Sequence, residues 1–360
     1  MKQILVVILL FSFAVGMITV GLKTVGSEFG FSFNPYQSMT PRNGMLMVST
    51  DGGNTWNKTA TTAGSGTFIA YDIEYYLEGE QLVMLAATNE GLYGSTDNGL
   101  TWSPVAADVV LGSVSDVAIN PSSRRATIMV AGRSANGYGA IFRSGNGGET
   151  FQQTYTTPTT SERVVGIIFD AGNASRVVAL TNEGSLLTSL DSGFSWGTNT
   201  IGGNGEFSQL IRYPHEPNTL FALSSTGLYK SSNRGTSWRS LDAELSVYPG
   251  ATNVHTISVS PISESMYLGT DHGILRSSNR GESFQEIPFL VAADTLPTTA
   301  LASDPTNDSR IYAGVRQQIY QSTDGGRSWK VVAIEGASYT MNFLSINLAN
   351  PQVLYAGFSN

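Results

Sequence analysis

Short runs that alternate apolar and polar residues recur along the chain between clusters of turn-forming residues. One set is Thr299–Pro305 (TALASDP), Arg310–Val315 (RIYAGV), Gln318–Ser322 (QIYQS) and Ser328–Ile334 (SWKVVAI). A period of two residues is typical of β-strands, and the Gly, Asn and Asp between the runs favour tight turns. The pattern therefore predicts four consecutive antiparallel strands. The same order recurs upstream, as in SVSDVAINP, TIMVAG, AIFRS and TFQQTY.

An eight-residue motif of the form S-x-[DN]-x-G-x-[ST]-[WF] lies between the third and fourth strand of each such set. The copies begin at Ser49, Ser95, Ser144, Ser189, Ser231, Ser277 and Ser322. Successive copies start 42 to 49 residues apart. This period is typical of the four-stranded blades of a β-propeller, in which each repeat is one antiparallel sheet.

The conserved positions of the motif suit a tight hairpin turn. An Asp or Asn at the third position can accept hydrogen bonds from turn amides, and a Gly at the fifth allows positive φ. The aromatic residue at the eighth position can anchor the turn by burying its ring. These three positions are Asp51, Gly53 and Trp56; Asp97, Gly99 and Trp102; Asn146, Gly148 and Phe151; Asp191, Gly193 and Trp196; Asn233, Gly235 and Trp238; Asn279, Gly281 and Phe284; and Asp324, Gly326 and Trp329. Because three copies carry Asn, the carboxylate charge is dispensable, which argues against a proton-transfer role.

The motif resembles the Asp-box, or BNR, repeat of sialidases, sortilin-type receptors, xyloglucanases and photosystem II assembly-factor propellers. The resemblance covers residues 45–360 and implies a structural hairpin on the face away from the ligand or active site. Seven copies at blade spacing predict an all-β fold, a seven-bladed β-propeller with Asp-box hairpins.

The two ends of the repeat region each supply part of one blade. Before the first motif there is room only for a third strand, Gly44–Ser49 (GMLMVS). After the last motif, Tyr339–Pro351 and Val353–Asn360 provide a first and a second strand without a third or fourth. We therefore expect the chain ends to pair and close the ring, with the propeller spanning residues 44–360.

The N-terminal segment Ile4–Leu22 has 19 residues without a charge between Lys2 and Lys23. That length can span a bilayer as a helix. A cleavable signal peptide is the alternative, with Ala14–Gly16 (AVG) as a small-x-small site. We favour a retained signal anchor (residues 1–22) followed by a linker (23–43), and both alternatives place the propeller outside the cytoplasm, anchored or secreted. The linker should enter on the face opposite the motifs.

Composition and charge narrow the function classes. The net charge of −8 provides no basic footprint for nucleic acid. The chain has no cysteine, and His215, His255 and His272 fall in different blades without ligand spacing, so we predict no metal and no cofactor. His272 is expected to be an exposed loop residue.

A glycoside hydrolase is the alternative to a non-catalytic role, because sialidases and xyloglucanases carry this repeat. A sialidase-like site implies an arginine cluster and an Arg-Ile-Pro signature, and the sequence has TPRNG around Arg42 instead. Xyloglucanase-type enzymes place two acidic residues between tandem propellers, whereas the motifs here mark one ring. All five tryptophans end motifs, which leaves none for a sugar-stacking platform. We predict no catalytic residues.

The favoured hypothesis is a non-catalytic, exported, membrane-tethered propeller that acts as a scaffold for a protein partner, itself membrane-associated or not. The family resemblance is strongest to the photosystem II assembly-factor type. A cell-surface propeller that binds or hydrolyses carbohydrate is the alternative. Candidate contact residues come from the second-to-third strand loops, on the face opposite the motifs: Glu90, Arg133, Tyr138, Glu183, Asp271, His272 and Arg316.

Overall fold

The structure, a computed structural model, describes residues 44–62, 68–105, 112–120, 126–334 and 339–360. Within this part of the chain, the strands form seven antiparallel sheets, six with four strands and one with five. We number the sheets as blades 1 to 7 in the order of their Asp boxes. The seven-bladed propeller predicted from the repeat is confirmed. The segment Ile4–Leu22 and the linker 23–43 lie outside the described residues.

The strands follow the predicted order within each blade. The chain begins with β1 (Gly44–Ser49), β2 (Asn57–Lys58) and β3 (Ala60–Thr61). Blades 2 to 4 comprise β4 (Ala70–Glu78), β5 (Gln81–Thr88), β6 (Gly91–Ser95), β7 (Thr101–Pro104), β8 (Val114–Asn120), β9 (Thr127–Arg133), β10 (Gly139–Ser144), β11 (Gln152–Thr156), β12 (Val164–Asp170), β13 (Asn173–Thr181), β14 (Ser185–Ser189) and β15 (Gly197–Thr200).

Blades 5 to 7 repeat the arrangement, with one short helix, α1, between blades 5 and 6. They comprise β16 (Phe207–Arg212), β17 (Leu220–Ser224), β18 (Gly227–Ser231), β19 (Arg239–Ser240), α1 (Asp242–Leu245), β20 (Val254–Val259), β21 (Met266–Thr270), β22 (Ile274–Ser277), β23 (Gln285–Glu286), β24 (Ala300–Asp304), β25 (Asn307–Val315), β26 (Gln318–Ser322) and β27 (Lys330–Ala333). The last strands are β28 (Thr340–Ile346) and β29 (Leu354–Ser359).

Blade 1 is built from both ends of the described chain. Its strand order is β2-β1-β29-β28, and β1 pairs with β29 from Gly44 opposite Ser359 to Ser49 opposite Leu354. The predicted closure is therefore confirmed. A ring closed in this way ties the first described strand to the last through backbone pairing within one blade.

The topology separates two faces of the ring. The Asp boxes connect third to fourth strands, and these turns lie on what we call the box face. The second-to-third turns and the segments that lead from one blade to the next lie at the opposite strand ends, on the loop face. Because β1 is a third strand, its first residue, Gly44, lies at the loop face.

Apolar side chains fill the spaces between adjacent blades. Tyr312 of blade 7, for example, packs in one cluster with Met47, Ile346 and Leu354 of blade 1. Small residues in the second strands fit this crowding: a Cβ at Gly269 would lie 2.5 Å from the carbonyl oxygen of Thr298.

Two features depart from the predicted pattern. The outer strands are short, with only two residues in β2, β19 and β23, because the box turn occupies the chain up to its aromatic residue. Strand β3 continues past blade 1 and pairs in parallel with β7 of blade 2.

No described helix is long and apolar enough to cross a membrane.

Candidate functional site

The Asp box satisfies its own polar groups. In the first box the Ser49 hydroxyl donates to Oδ1 of Asp51 at 2.8 Å and accepts from the Gly53 amide at 2.9 Å. Thr55 donates to Asp51 from its amide (2.9 Å) and its hydroxyl (2.7 Å). These bonds, above all from the Thr55 side chain, lower the pKa of Asp51 to about 2. The carboxylate is thus committed to the turn.

Boxes with Asn keep the same turn by reversing one hydrogen bond. Asn146 donates from Nδ2 to the Thr150 hydroxyl at 2.9 Å and accepts the Thr150 amide at its Oδ1 at 3.1 Å. A hydroxyl can donate or accept, so it serves a carboxylate in one box and an amide in another. Asn233 with Ser237 and Asn279 with Ser283 repeat this arrangement, each at 2.8 Å.

The fourth box position, which the sequence motif leaves variable, carries a structural role. All seven residues there have φ between 59° and 77°, namely Gly52, Asn98, Gly147, Ser192, Arg234, Arg280 and Gly325. Five of the carbonyl groups at this position accept a hydrogen bond from a side chain of the preceding blade. The donor and acceptor pairs are Tyr312 to Gly52, Tyr355 to Asn98, Tyr76 to Gly147, Arg143 to Ser192 and Arg176 to Arg234. The Asp-box turns therefore also join neighbouring blades, and we call these contacts blade seams.

On the loop face, the structure divides the seven candidate contact residues among four places. Arg133, Tyr138 and Glu183 surround the segment 157–163, which leads from blade 3 to blade 4. Asp271 and His272 lie in one turn of blade 6. Arg316 lines a cleft in blade 7, and Glu90 lies in the second-to-third turn of blade 2, where its Oε2 accepts from the Tyr93 hydroxyl at 3.4 Å.

The segment 157–163 is held between two turns of the loop face. The Thr157 amide donates to the carbonyl of Gly139 at 2.8 Å, next to Tyr138. The Ser161 hydroxyl donates to Oε1 of Glu183 at 3.1 Å. These bonds bring two of the candidates to the same segment.

Glu162, within this segment, was not singled out by sequence. Its side chain is buried (5% exposed), and its Oε1 has no hydrogen-bond partner. Burial raises the pKa of the Tyr155 phenol, and the nearby charge of Glu162 raises it further. No sequence signal distinguishes Glu162 from a solvated loop carboxylate.

The two arginines of this region are engaged by other groups. Arg163 forms an ion pair with Glu206 and donates its amide to Oδ1 of Asn182 at 2.6 Å. Arg133 donates to the carbonyl of Gly137 at 2.9 Å. The pKa of Arg133 is lowered by burial and by the charge of Arg163.

In blade 6 the expectation for His272 is wrong. The ring is buried (8% exposed), with Nδ1 3.0 Å from the carbonyl of Pro249 and 3.3 Å from Oδ1 of Asp294. The long segment 241–253 covers it, which the sequence did not reveal. Asp271 contacts Nε2 of His255 at 2.7 Å. Burial of the Asp271 carboxyl opposes its ionisation, but the hydrogen bonds to this carboxyl outweigh burial, so the pKa of Asp271 is lowered.

A cleft of about 350 Å³ lies at the loop-face end of blade 7. Its wall combines apolar and polar surface, and Arg316 is its one cationic lining residue. Arg316 has φ of 53° and is exposed; its carbonyl accepts the Met341 amide at 2.6 Å, while its guanidinium makes no hydrogen bond or ion pair with another described residue. The cleft is lined by Leu296, Val315, Arg316, Gln317, Gln318, Tyr320, Ala333 and Ile334.

Three carboxyl groups that the sequence analysis missed lie buried on the inner strands near the ring axis. Asp72 accepts from the Val117 amide at 3.4 Å, and Asp116 accepts from the Ile167 amide at 2.6 Å. Burial raises the pKa of Asp72, Glu74 and Asp116, and the charge of Asp116 raises the first two further. Among the described residues, no group of three or more His, Asp or Glu side chains is arranged to hold a metal ion.

Comparisons with known proteins agree with this architecture. No protein-family model matches the chain. A xyloglucanase of Hypocrea jecorina (strain QM6a) is 29% identical over 180 residues, which cover 44% of this chain and 21% of that enzyme. The chain thus spans about a fifth of the length of this curated relative.

Several solved structures share the fold. YCF48 from Cyanidioschyzon merolae matches with a TM-score of 0.60 at 15% identity, over 80% of this chain and 95% of that one. YCF48 bound to D1 peptide matches at 0.59 and 16%, over 91% and 98%. An ancestral GH74 enzyme matches at 0.55 and 18%, over 87% and 43%. At these identities the likeness shows the fold alone.

Proposed function

We propose that this chain is a non-catalytic, exported and membrane-tethered propeller that holds a polypeptide partner on its loop face. One contrast carries the proposal. The box face commits its Asp, Asn and hydroxyl groups to turns and blade seams, whereas on the loop face Glu162 keeps a buried Oε1 without a hydrogen-bond partner and the side chain of Arg316 is exposed beside the cleft of blade 7. A buried polar atom left unsatisfied in a stable ring favours a role in binding.

Exposed apolar side chains on the loop face support a polypeptide as the ligand class. The segments 241–253 and 287–299, which lead into blades 6 and 7, carry the exposed side chains of Val247 (72% exposed) and Leu290 (60% exposed). Apolar side chains beside a cleft with a few polar groups suit a peptide. The structural likeness to YCF48 bound to D1 peptide supports the same class.

The membrane tether is part of the same proposal. The uncharged segment Ile4–Leu22 precedes β1, and the chain enters β1 at Gly44 on the loop face. A retained anchor would therefore leave the loop face on the side of the ring nearer the membrane. Alkaline extraction of membranes from the expressing cells tests this: an anchored chain stays with the pellet, and complete release would contradict the tether.

Photo-crosslinking from the two faces tests the binding surface. A photoreactive residue at Asn136 or Gln317 reports on the loop face, and the same residue at Glu80 or Thr323 reports on the box face; all four positions are exposed. We expect one discrete polypeptide adduct from the loop-face positions only. Adducts from the box face alone, or none from either face, would contradict the proposal.

Carbohydrate binding or hydrolysis is the second candidate, favoured by the 29% identity to a xyloglucanase. A glycan array together with chromogenic glycosides separates it from the first. If the chain hydrolyses a glycoside, and replacement of one acidic residue abolishes this turnover, the protein is an enzyme and the proposal of a non-catalytic scaffold is overturned. No turnover and no retained glycan would remove this candidate.

A further inference from the structure

We propose that Glu162 is the receptor for a basic side chain, lysine or arginine, of the polypeptide that docks on the loop face. The inference rests on the proposed function and specifies the chemistry of its partner. Its core is a buried carboxylate oxygen that has no hydrogen-bond partner in the free protein.

The charge of the loop face is the first argument. The four described segments that connect consecutive blades there (157–163, 201–206, 241–253 and 287–299) contain five acidic residues and one basic residue, Arg163. Glu206 pairs with Arg163, and Glu244 pairs with Arg239. Glu162, Asp242 and Asp294 have no lysine or arginine partner in the described structure.

Several carboxylates on the box face are held by cations or by their own turns. There Asp170 pairs with Arg176 at 3.3 Å, Asp304 pairs with Arg310 at 3.0 Å, and Arg280 bridges two glutamates, while the box aspartates accept hydrogen bonds within their turns. On the loop face, the carboxylates without a cation complement a cationic segment of a partner and steer its approach.

The burial of Glu162 is the second, independent argument. A carboxylate oxygen that is withdrawn from water without a donor destabilises the folded chain, and binding of a ligand would account for its retention. Glu162 directly follows the exposed residues 158–161 in the chain. A long, flexible ammonium or guanidinium side chain is suited to reach a buried carboxylate from the surface.

The surroundings of Glu162 favour a cation over an anion or a neutral group. Glu183 lies on the neighbouring turn, where Ser161 holds its carboxylate at 3.1 Å. Tyr155 on β11 and Tyr138 in the turn before β10 are both half-buried, and aromatic faces accommodate the apolar stem and charge of basic side chains. The nearby arginines are already bound to Glu206 and to the Gly137 carbonyl.

A peptide array tests the inference with the full-length chain in detergent. Short immobilised peptides of randomised sequence are probed, and the strongest binder is resynthesised with each Lys or Arg replaced by Gln. We expect basic residues to be enriched among binders, and replacement of one of them to weaken binding about 30-fold or more. Glu162→Gln should cause a similar loss, and the two changes combined should cost little more than either alone.

Glu80→Gln, an exposed acidic position on the box face, is the matched control and should leave binding unchanged. Glu162→Gln keeps the side-chain size, so its Tm should not fall. Glu162→Asp, which keeps the charge and shortens its reach, is a second variant and should lose less affinity than Gln.

The outcomes separate this inference from the proposed function. Binding that needs no basic residue, or that Glu162→Gln leaves intact, overturns the inference while a polypeptide-binding scaffold stands. If no peptide of any composition binds, and the loop-face crosslinks are also absent, the proposed function itself is overturned.

Discussion

The phenol of Tyr312 donates a 2.9 Å hydrogen bond to the carbonyl oxygen of Gly52, although 260 residues separate the two in sequence. The bond joins blade 7 to the Asp box of blade 1, across the point where the ring closes. Tyr355 makes the equivalent bond to Asn98 at 2.8 Å, from blade 1 to blade 2. The Asp box is therefore a contact between blades as well as a turn.

Removing these phenols should loosen the seams. Tyr355→Phe should lower the free energy of unfolding by about 1–3 kcal/mol, because the Asn98 carbonyl loses its donor. Tyr312→Phe should cost less, since Nε2 of Gln321 also donates to the Gly52 carbonyl at 3.2 Å. Urea denaturation measures both. Tyr320→Phe, whose hydroxyl bonds within its own blade, is the control; equal losses for all three would count against a seam.

Closure of the ring depends on the last strand. Deletion of residues 351–360 removes β29 and leaves β1 and β28 of blade 1 without the strand that joins them. We expect the chain to unfold or aggregate, as seen by size-exclusion chromatography and thermal melting. Deletion of Asn360 alone should be tolerated. A soluble ten-residue truncation with an unchanged Tm would show that closure does not maintain the fold.

The first Asp box should tolerate loss of its charge but not of its hydrogen bonds. Asp51→Asn should change the free energy of unfolding by less than about 0.5 kcal/mol near neutral pH, because Thr55 can accept where it now donates. Asp51→Ala should cost about 1–2 kcal/mol. If Asn proves as harmful as Ala, the charge itself matters.

The same box has a defined acid dependence. The pKa of Asp51 is lowered to about 2 from an ordinary 3.8, so its contribution is complete above the ordinary value and is lost as the pH falls towards the lowered one. Urea titrations over that acid range should show a smaller decline for Asp51→Asn than for the natural sequence.

The buried carboxyls near the axis should have the opposite dependence. Burial, then the charges of Asp116 and Glu74, raise the pKa of Asp72 above its ordinary 3.8. The folded state thus favours the protonated form, and stability should fall as the pH rises from that ordinary value towards the raised one. Asp72→Asn can still accept the Val117 amide and donate towards Asp116.

We therefore expect Asp72→Asn to raise the free energy of unfolding by about 1–3 kcal/mol near pH 8, measured by urea denaturation. Its advantage should shrink towards acid pH. The exposed change Glu80→Gln should show no such trend. A variant that is less stable than the natural chain at every pH would show that the ionised pair is structurally required.

The sequence by itself determined the number of blades, the place of each Asp box and the closure of blade 1. This was possible because the box turn is encoded within eight consecutive residues, and because strands that alternate around tight turns pair with their neighbours. It also placed Arg133, Tyr138, Glu183 and Arg316 on the loop face, since strand order alone decides which turns lie there.

Only the tertiary structure decided which groups lack partners and which cross between blades. The bond from Tyr312 to Gly52, the bare oxygen of Glu162 and the burial of His272 all depend on segments that come together from separate blades or loops. A local pattern carries no record of such neighbours, because burial and hydrogen bonding depend on what packs against a residue. The turns of the box face could therefore be predicted from the sequence, whereas the contacts of the loop-face residues could be identified only from the tertiary structure.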